Sequence, residues 1–200
     1  MTSPSDDELL AKWRDGDSAA GTELFRRLFR TVRRFFFNKV PERDIEDLLQ
    51  KTFTALVEGR DKFRGDASVR TYVFSIARRV LFRYLRDFAR RDSKHVPDLS
   101  VSSIAVLGVT PGTAIAVQEE EEQVRLALQQ IPVHFQTILE LSYWEGVSNA
   151  ELAEILEIDP TTVRTRLFRA RKALAKVLEG TGTTDEEAIE RAARALGKHL

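Results

Sequence analysis

Residues Ser148–Leu178 read SNAELAEILEIDPTTVRTRLFRARKALAKVL. The stretch predicts a short helix, a tight turn and a longer helix. Ser148 is placed to cap the first helix, and Glu151, three residues on, completes a capping box. Leu152, Ala153 and Leu156 make the inner side of that helix. Glu157-Ile158-Asp159 is the break, and Pro160 suits the first position of the next helix with Asp159 as its cap. Val163, Leu167, Ala170, Leu174 and Leu178 then recur at helical spacing as one apolar stripe. At about 100° per residue, Thr165, Phe168, Arg169, Lys172 and Lys176 lie away from the stripe. Thr162, Arg164, Arg166 and Arg171 flank them. A merely solvated basic helix would look similar. Here, however, no carboxylate falls between Thr161 and Leu178, and an aromatic sits among the cations. A helix offering Arg, Thr and Phe outward, after a short helix and a turn, is equipped to read a DNA major groove. A helix-turn-helix is therefore expected.

Composition narrows the rest. The 200 residues allow one large domain or two small ones, and the 31 basic and 31 acidic residues cancel. A nucleic-acid binder needs segregated charge, not a net positive one. Cysteine is absent, which excludes disulfides and thiolate metal sites, and His95, His134 and His199 are scattered. Neither a metal nor a cofactor is expected. No apolar run approaches the ~20 residues of a membrane span. The N-terminal MTSPSDDELL is acidic and lacks a signal-peptide core, so a cytoplasmic protein is expected.

Working back from the helix-turn-helix, helices are predicted over about 6–15, 18–39, 43–58 and 71–91, and on either side of Pro132. The second is dense in phenylalanine, which suits a core. The third carries Asp44, Glu46, Asp47 and Gln50 outward near its start, where carboxylates favour the helix dipole. The fourth is expected to bury Val73, Ile76, Ala77, Val80, Tyr84 and Phe88, with Ser75, Arg79, Phe82 and Arg86 opposite and Arg78, Arg83 and Arg90 at the flanks. Cations interleaved with rings suit a single nucleic-acid strand, where phosphates meet the charges and bases stack on the rings; packing of Phe82 and Tyr72 on a neighbouring helix is the alternative. Residues 93–117 lack periodicity and read as an interdomain linker that could span roughly 80 Å if extended. The expected fold is all-α: two small helical domains joined by an extended linker, the C-terminal one a helix-turn-helix.

Taken together, Asp44-Ile45-Glu46-Asp47-Leu48-Leu49-Gln50, Phe63-Arg64-Gly65, the segment 70–86 and Asn149–Leu174 make the chain resemble an extracytoplasmic-function sigma factor of the sigma-70 family. The resemblance covers about residues 20–178. It implies a region 2 domain over 1–92, a linker over 93–117, a region 4 domain over 118–180 and an extension over 181–200 outside the family pattern. It implies that Asp44, Glu46, Asp47, Leu48, Gln50 and Phe53 dock on the β′ clamp helices of RNA polymerase, with the β flap as a further contact of the core enzyme. Phe63, Arg70, Tyr72, Arg78, Arg79, Phe82, Arg83 and Arg86 would then capture the −10 element with bases flipped out of the stack. Arg164, Thr165, Phe168 and Arg169 would read the −35 element, beside Thr162, with Arg166, Arg171 and Lys172 nearer phosphates. The linker would thread toward the polymerase active-site channel. An anti-sigma factor is a candidate partner, with Phe82 and the apolar linker as its candidate surfaces.

The chain departs from the family where Arg79 replaces a frequent Asn, Tyr72 a frequent Trp and Arg83 a frequent Asp. Stronger phosphate attraction and an altered −10 preference are expected. Two other function classes compete. A stand-alone helix-turn-helix regulator would bind duplex tightly without polymerase. An enzyme would need a nucleotide loop or a nucleophile–base constellation, and the sequence offers neither.

Overall fold

The computed structural model describes residues 3–92, 98–111 and 119–179. Among these are eight α-helices: α1 (Asp6–Arg14), α2 (Ser18–Phe37), α3 (Glu42–Gly59), α4 (Val69–Asp92), α5 (Glu119–Leu128), α6 (Val133–Tyr143), α7 (Asn149–Leu156) and α8 (Pro160–Glu179). A single 3₁₀ turn, Arg60–Lys62, follows α3. The described residues contain no strand, only one bridge between Ser103 and Pro132. None of their helices is long and apolar enough to cross a membrane. The helix expected in the tail lies outside the described residues.

Local chemistry sets the helix ends. Ser5 caps α1 with a full capping box through Glu8, and Asp17 caps α2 through the amides of Ala19 and Ala20. The second helix, expected over about 18–39, stops slightly earlier. It ends at Phe37, and Pro41 serves as the N-cap of α3. Pro132 likewise precedes α6 as its N-cap. The start of α4 is capped from a distance, because the Val69 amide donates to Asp7 of α1 at 2.7 Å.

The first half of the chain packs α1–α4 around Leu24, Leu28, Val32, Phe35 and Phe36 of α2, Ile45, Leu48 and Leu49 of α3, and Val73, Phe74 and Ala77 of α4. The expected α4 stripe is corrected here. Val73, Ile76 and Ala77 are buried as expected, but Phe74, Leu81 and Leu85 are buried with them, while Val80, Tyr84 and Phe88 are only half-buried. The reason is that α4 is covered on two sides, by α3 and by α2 with α7.

The second half packs α5–α8 around Val124, Leu128, Ile138, Leu152, Val163, Leu167 and Leu174. Of the expected linker, residues 98–111 are irregular yet not a free tether. Leu99, Ile104 and Val109 are buried against the chain itself, and the segment is tied down by Ala105 N–H to Gln129 O and Val133 N–H to Ser102 O, both 3.0 Å. The rest of the linker lies outside the described residues.

The two halves pack directly on one another. Asn38, which ends α2, is fully buried against the second half: its amide donates to Glu140 Oε1 at 3.2 Å, its side-chain oxygen accepts from Gln129 at 2.7 Å, and its carbonyl accepts from Gln136 at 3.0 Å. Next to it Lys39 forms a buried ion pair with Glu140. A polar residue is tolerated at such a seam only when its donors and acceptors find partners, and those of Asn38 do.

Candidate nucleic-acid interface

The helix-turn-helix forms as its local signals dictate. Ser148 accepts from the Glu151 amide and Glu151 returns the bond to the Ser148 amide, closing the capping box. At the turn, Glu157 adopts a left-handed conformation, φ +54°, without a glycine. The Asp159 carboxylate then accepts from the Thr161 amide at 2.8 Å and opens α8. Hydrogen bonds from the Thr161 hydroxyl and amide hold the Asp159 carboxyl below its ordinary value. The predicted stripe of α8 is buried in full. Thr162, Arg164, Thr165, Phe168, Arg169 and Lys172 are exposed, Phe168 by 59%. Arg166 and Arg171 are half-buried. A large ring held this far into water, among cations, is available to a partner.

The predicted strand-capture residues do not form one surface; the structure divides them between two sides of α4. On one side Tyr72, Arg79 and Arg83 face a groove of about 870 Å³ against α3, whose other wall carries Asp44, Asp47 and Glu58. Arg79 and Arg83 are exposed there. Tyr72 packs on Phe63, ring centroids 5.0 Å apart, and the loop holding Phe63 is pinned by Arg14, which donates to the Phe63 and Asp61 carbonyls. Between that loop and α4 lies a smaller pocket of about 260 Å³, lined by Phe63, Tyr72 and Ser75 and closed on one side by Glu154 of α7. On the opposite side of α4, Arg70 donates to both the carbonyl and the carboxylate of Glu145 at 2.8 Å. Arg78 pairs with Glu157 at 3.3 Å and lies over the ring of Phe82. Phe82 is therefore half-buried, which corrects its reading as an exposed surface for a partner. Arg86 is exposed nearby and lines a cavity of about 410 Å³ with Arg78, Phe82, His134 and Arg166. Burial first, and then the charge of Arg78, lower the pKa of Arg166.

The predicted polymerase-docking residues also separate. Glu46, Asp47 and Gln50 are exposed, with Asp47 paired to Lys51 one turn on. Asp44 is half-buried and accepts from the Tyr84 hydroxyl at 2.7 Å; burial, then that bond, raises the Tyr84 pKa. Leu48 and Phe53 are buried in the packing of α3, each with an edge on a groove beside that helix. Glu46 and Gln50 border an apolar groove of about 450 Å³ whose wall includes Phe25, Phe29, Phe53 and Val57. Sequence reasoning did not single out Glu145, and it read Glu151 only as a cap and Glu157 only as part of the turn, not as partners of the first half. No local signal marks their pairing, because their partners lie on α2 and α4.

Residues 23–91 match the Sigma-70 region 2 model, and residues 121–174 match the Sigma-70, region 4 model. The chain belongs to the sigma-70 family. The matched segments span α2–α4 and α5–α8, the halves that carry the two basic surfaces. Curated sigma-70 relatives include the ECF RNA polymerase sigma-E factor of Escherichia coli, 28% identical over 180 residues, covering 85% of this chain and 92% of the relative. The RNA polymerase sigma-H factor of Pseudomonas aeruginosa is 27% identical over 190 residues, covering 90% and 96%. Among solved structures, CnrH in complex with the cytosolic domain of CnrY aligns with TM-score 0.63 at 22% identity, covering 88% of this chain and 99% of that one. The sigma factor RpoE bound to the anti-sigma factor NepR from Bartonella quintana aligns with TM-score 0.58, also at 22% identity, covering 77% and 95%. These likenesses carry the sigma-70 fold.

Proposed function

We propose that this chain is a promoter-specificity subunit that directs core RNA polymerase to its start sites and assists strand opening, with its labour divided among three surfaces. The observation that carries this reading is the α8 face: six exposed residues, cationic, polar and aromatic, with no carboxylate, presented by a capped helix-turn-helix. Each base contact from such a helix discriminates by about 1–3 kcal/mol. On this reading residues 118–180 form the region that reads the −35 duplex. Thr162, Arg164, Thr165, Phe168 and Arg169 meet bases, and Arg166, Arg171 and Lys172 meet phosphates.

Residues 1–92 form the region that attaches to polymerase and captures the −10 strand. Asp47, Glu46 and Gln50, exposed along α3, engage the β′ clamp helices, with Asp44, Leu48 and Phe53 setting the shape of that helix. Phe63, Tyr72, Arg79 and Arg83 receive the strand, and Arg70, Arg78, Phe82 and Arg86 extend the surface. Melting by capture requires no bond chemistry; it requires pockets that hold an extruded base better than the duplex does. This fits a factor acting in the cytoplasm, without a catalytic centre of its own. An anti-sigma factor is a further proposed partner, since both structural neighbours are complexes, one of them explicitly with an anti-sigma factor.

Run-off transcription with purified core polymerase on a promoter library tests the reading. Initiation at defined start points, dependent on added protein, is the expected outcome. Tight duplex binding by the chain alone, with no initiation when core is added, would favour a stand-alone regulator.

A further inference from the structure

We infer that the cavity of about 410 Å³ bounded by α4, the 98–100 segment, α6 and α8 is a binding site for a small phosphorylated molecule, held by Arg86, Arg166 and His134. The site goes beyond the promoter-binding surfaces: it takes a free ligand, on the side of α4 away from Arg79 and Arg83. Charge is the first observation. Three guanidiniums, those of Arg78, Arg86 and Arg166, line the cavity against one carboxylate, that of Asp98. Arg78 is satisfied within the fold, by Glu157 at 3.3 Å and by the ring of Phe82 beneath it. Arg86 and Arg166 have no ion-pair partner among the described residues. Asp98 is engaged by its own turn: it accepts from the Ser100 amide at 2.8 Å, and hydrogen bonds from Ser100 hold its carboxyl below the ordinary value. Two cations on different helices are thus left facing one space.

His134 is the second observation. Its Nδ1 is buried and has no hydrogen-bond partner among the described residues. A polar atom taken out of water in this way costs free energy until a partner meets it. Protonated, Nδ1 would donate to a phosphate oxygen. Burial, and then the charge of Arg166, lower the His134 pKa, and burial with the charge of Arg78 does the same to Arg166. Like charges half out of water repel one another, and an anion set between them replaces that repulsion with charge-assisted hydrogen bonds. The guanidinium fork matches phosphate oxygens, which sets the chemical class. The volume lies within the roughly 300–1,000 Å³ of small-molecule sites. Phe82, Leu99 and Leu156 supply apolar wall beside the cations, so the ligand carries an organic part as well as its phosphate.

Isothermal titration of the full chain, without DNA or polymerase, tests the site with inorganic phosphate, pyrophosphate and ADP at matched ionic strength. The expected result is saturable binding of one ADP per chain, tighter than that of inorganic phosphate. Arg86→Gln and Arg166→Gln should each weaken it about tenfold, the worth of one charge-assisted hydrogen bond. Arg83→Gln, in the groove on the other side of α4, should leave it unchanged. Circular dichroism checks that each variant keeps its helix, and Arg86 is exposed, so its variant carries the test should Arg166→Gln disturb packing. His134 gives an independent readout: its ring-proton resonances, identified by their loss in His134→Gln, should shift on saturation with ADP. No saturable binding of any of the three probes would overturn the site, as would binding that both arginine variants leave intact, or an unmoved His134. Equal affinity for phosphate and ADP would overturn the organic part of the assignment. A cavity serving only promoter phosphates would bind a −10 oligonucleotide and none of the probes, which also overturns the proposal. Failure of the promoter reading is seen separately, in run-off transcription, whatever the calorimetry reports.

Discussion

Lys39 and Glu140 form an ion pair from which water is excluded, their side chains 0% and 2% exposed, although they stand 101 residues apart. Lys39 also donates to the Phe35 carbonyl at 2.6 Å and lies over the Phe35 ring, and Glu140 accepts from Asn38 and Gln136. Burial lowers the Lys39 pKa, with the Glu140 carboxylate opposing that shift. Two charges taken out of water gain little net stability from one another, but removing one leaves the other stranded.

Single substitutions here should therefore be severe and the double one mild. Lys39→Met alone and Glu140→Gln alone are each expected to cost about 3–5 kcal/mol. Lys39→Met/Glu140→Gln should recover most of that loss, since the side-chain amide replacing the Glu140 carboxylate would still accept from Asn38 and Gln136. Chemical denaturation of all four proteins measures the cycle, and additive losses would show that the two groups do not couple.

Gly21 should reverse the usual sign of a helix substitution. Gly→Ala inside an exposed helix normally stabilises by about 1 kcal/mol. A methyl at Gly21 would fall 2.6 Å from the Trp13 ring, which is itself held beneath Arg60. Gly21→Ala is expected to destabilise the protein and to shift Trp13 emission as α1 is displaced. A rise in melting temperature would show that the ring moves aside freely.

Acid should weaken the capping box of the helix-turn-helix. Hydrogen bonds from Ser148, then Thr71 and the charge of Arg70, hold the Glu151 carboxyl below its ordinary value of 4.5. With the folded pKa below the unfolded one, its stabilisation is complete above about pH 4.5 and is lost as pH falls through the folded value. The stability gap between wild type and Glu151→Gln should thus be constant near neutrality and close on acidification. Denaturation midpoints between about pH 3 and 7 read this directly, and a gap that ignores pH would remove the ionised cap.

Arg169→Ala and Asp47→Ala should fail differently. Loss of one base contact costs about 1–3 kcal/mol of discrimination, so Arg169→Ala should reduce transcription most from promoters with a matched −35 element. Asp47→Ala should reduce it from all of them. A −35 mutant panel in run-off assays separates the two, and an even loss across the panel would end the base-reading role of Arg169.

Much of the molecule is written locally. Ser148 with Glu151, Asp159 with Pro160, and the stripe from Val163 to Leu178 act over three or four residues, so helix ends, the turn and the outward face of α8 follow from spacing alone. Even the left-handed Glu157 sits at a break announced by its neighbours. The covering of α4 is a different matter. Periodicity states that a face is apolar but not which helix lies on it, so the burial of Phe74 and Leu81 and the half-burial of Phe82 could not be read there. Nor could the partners of Glu145, which come from 75 and 111 residues away. Charge at such separations is paired only when packing brings two surfaces together. The contacts that shape each helix are short in sequence; those that close one half of the chain over the other exist only in three dimensions.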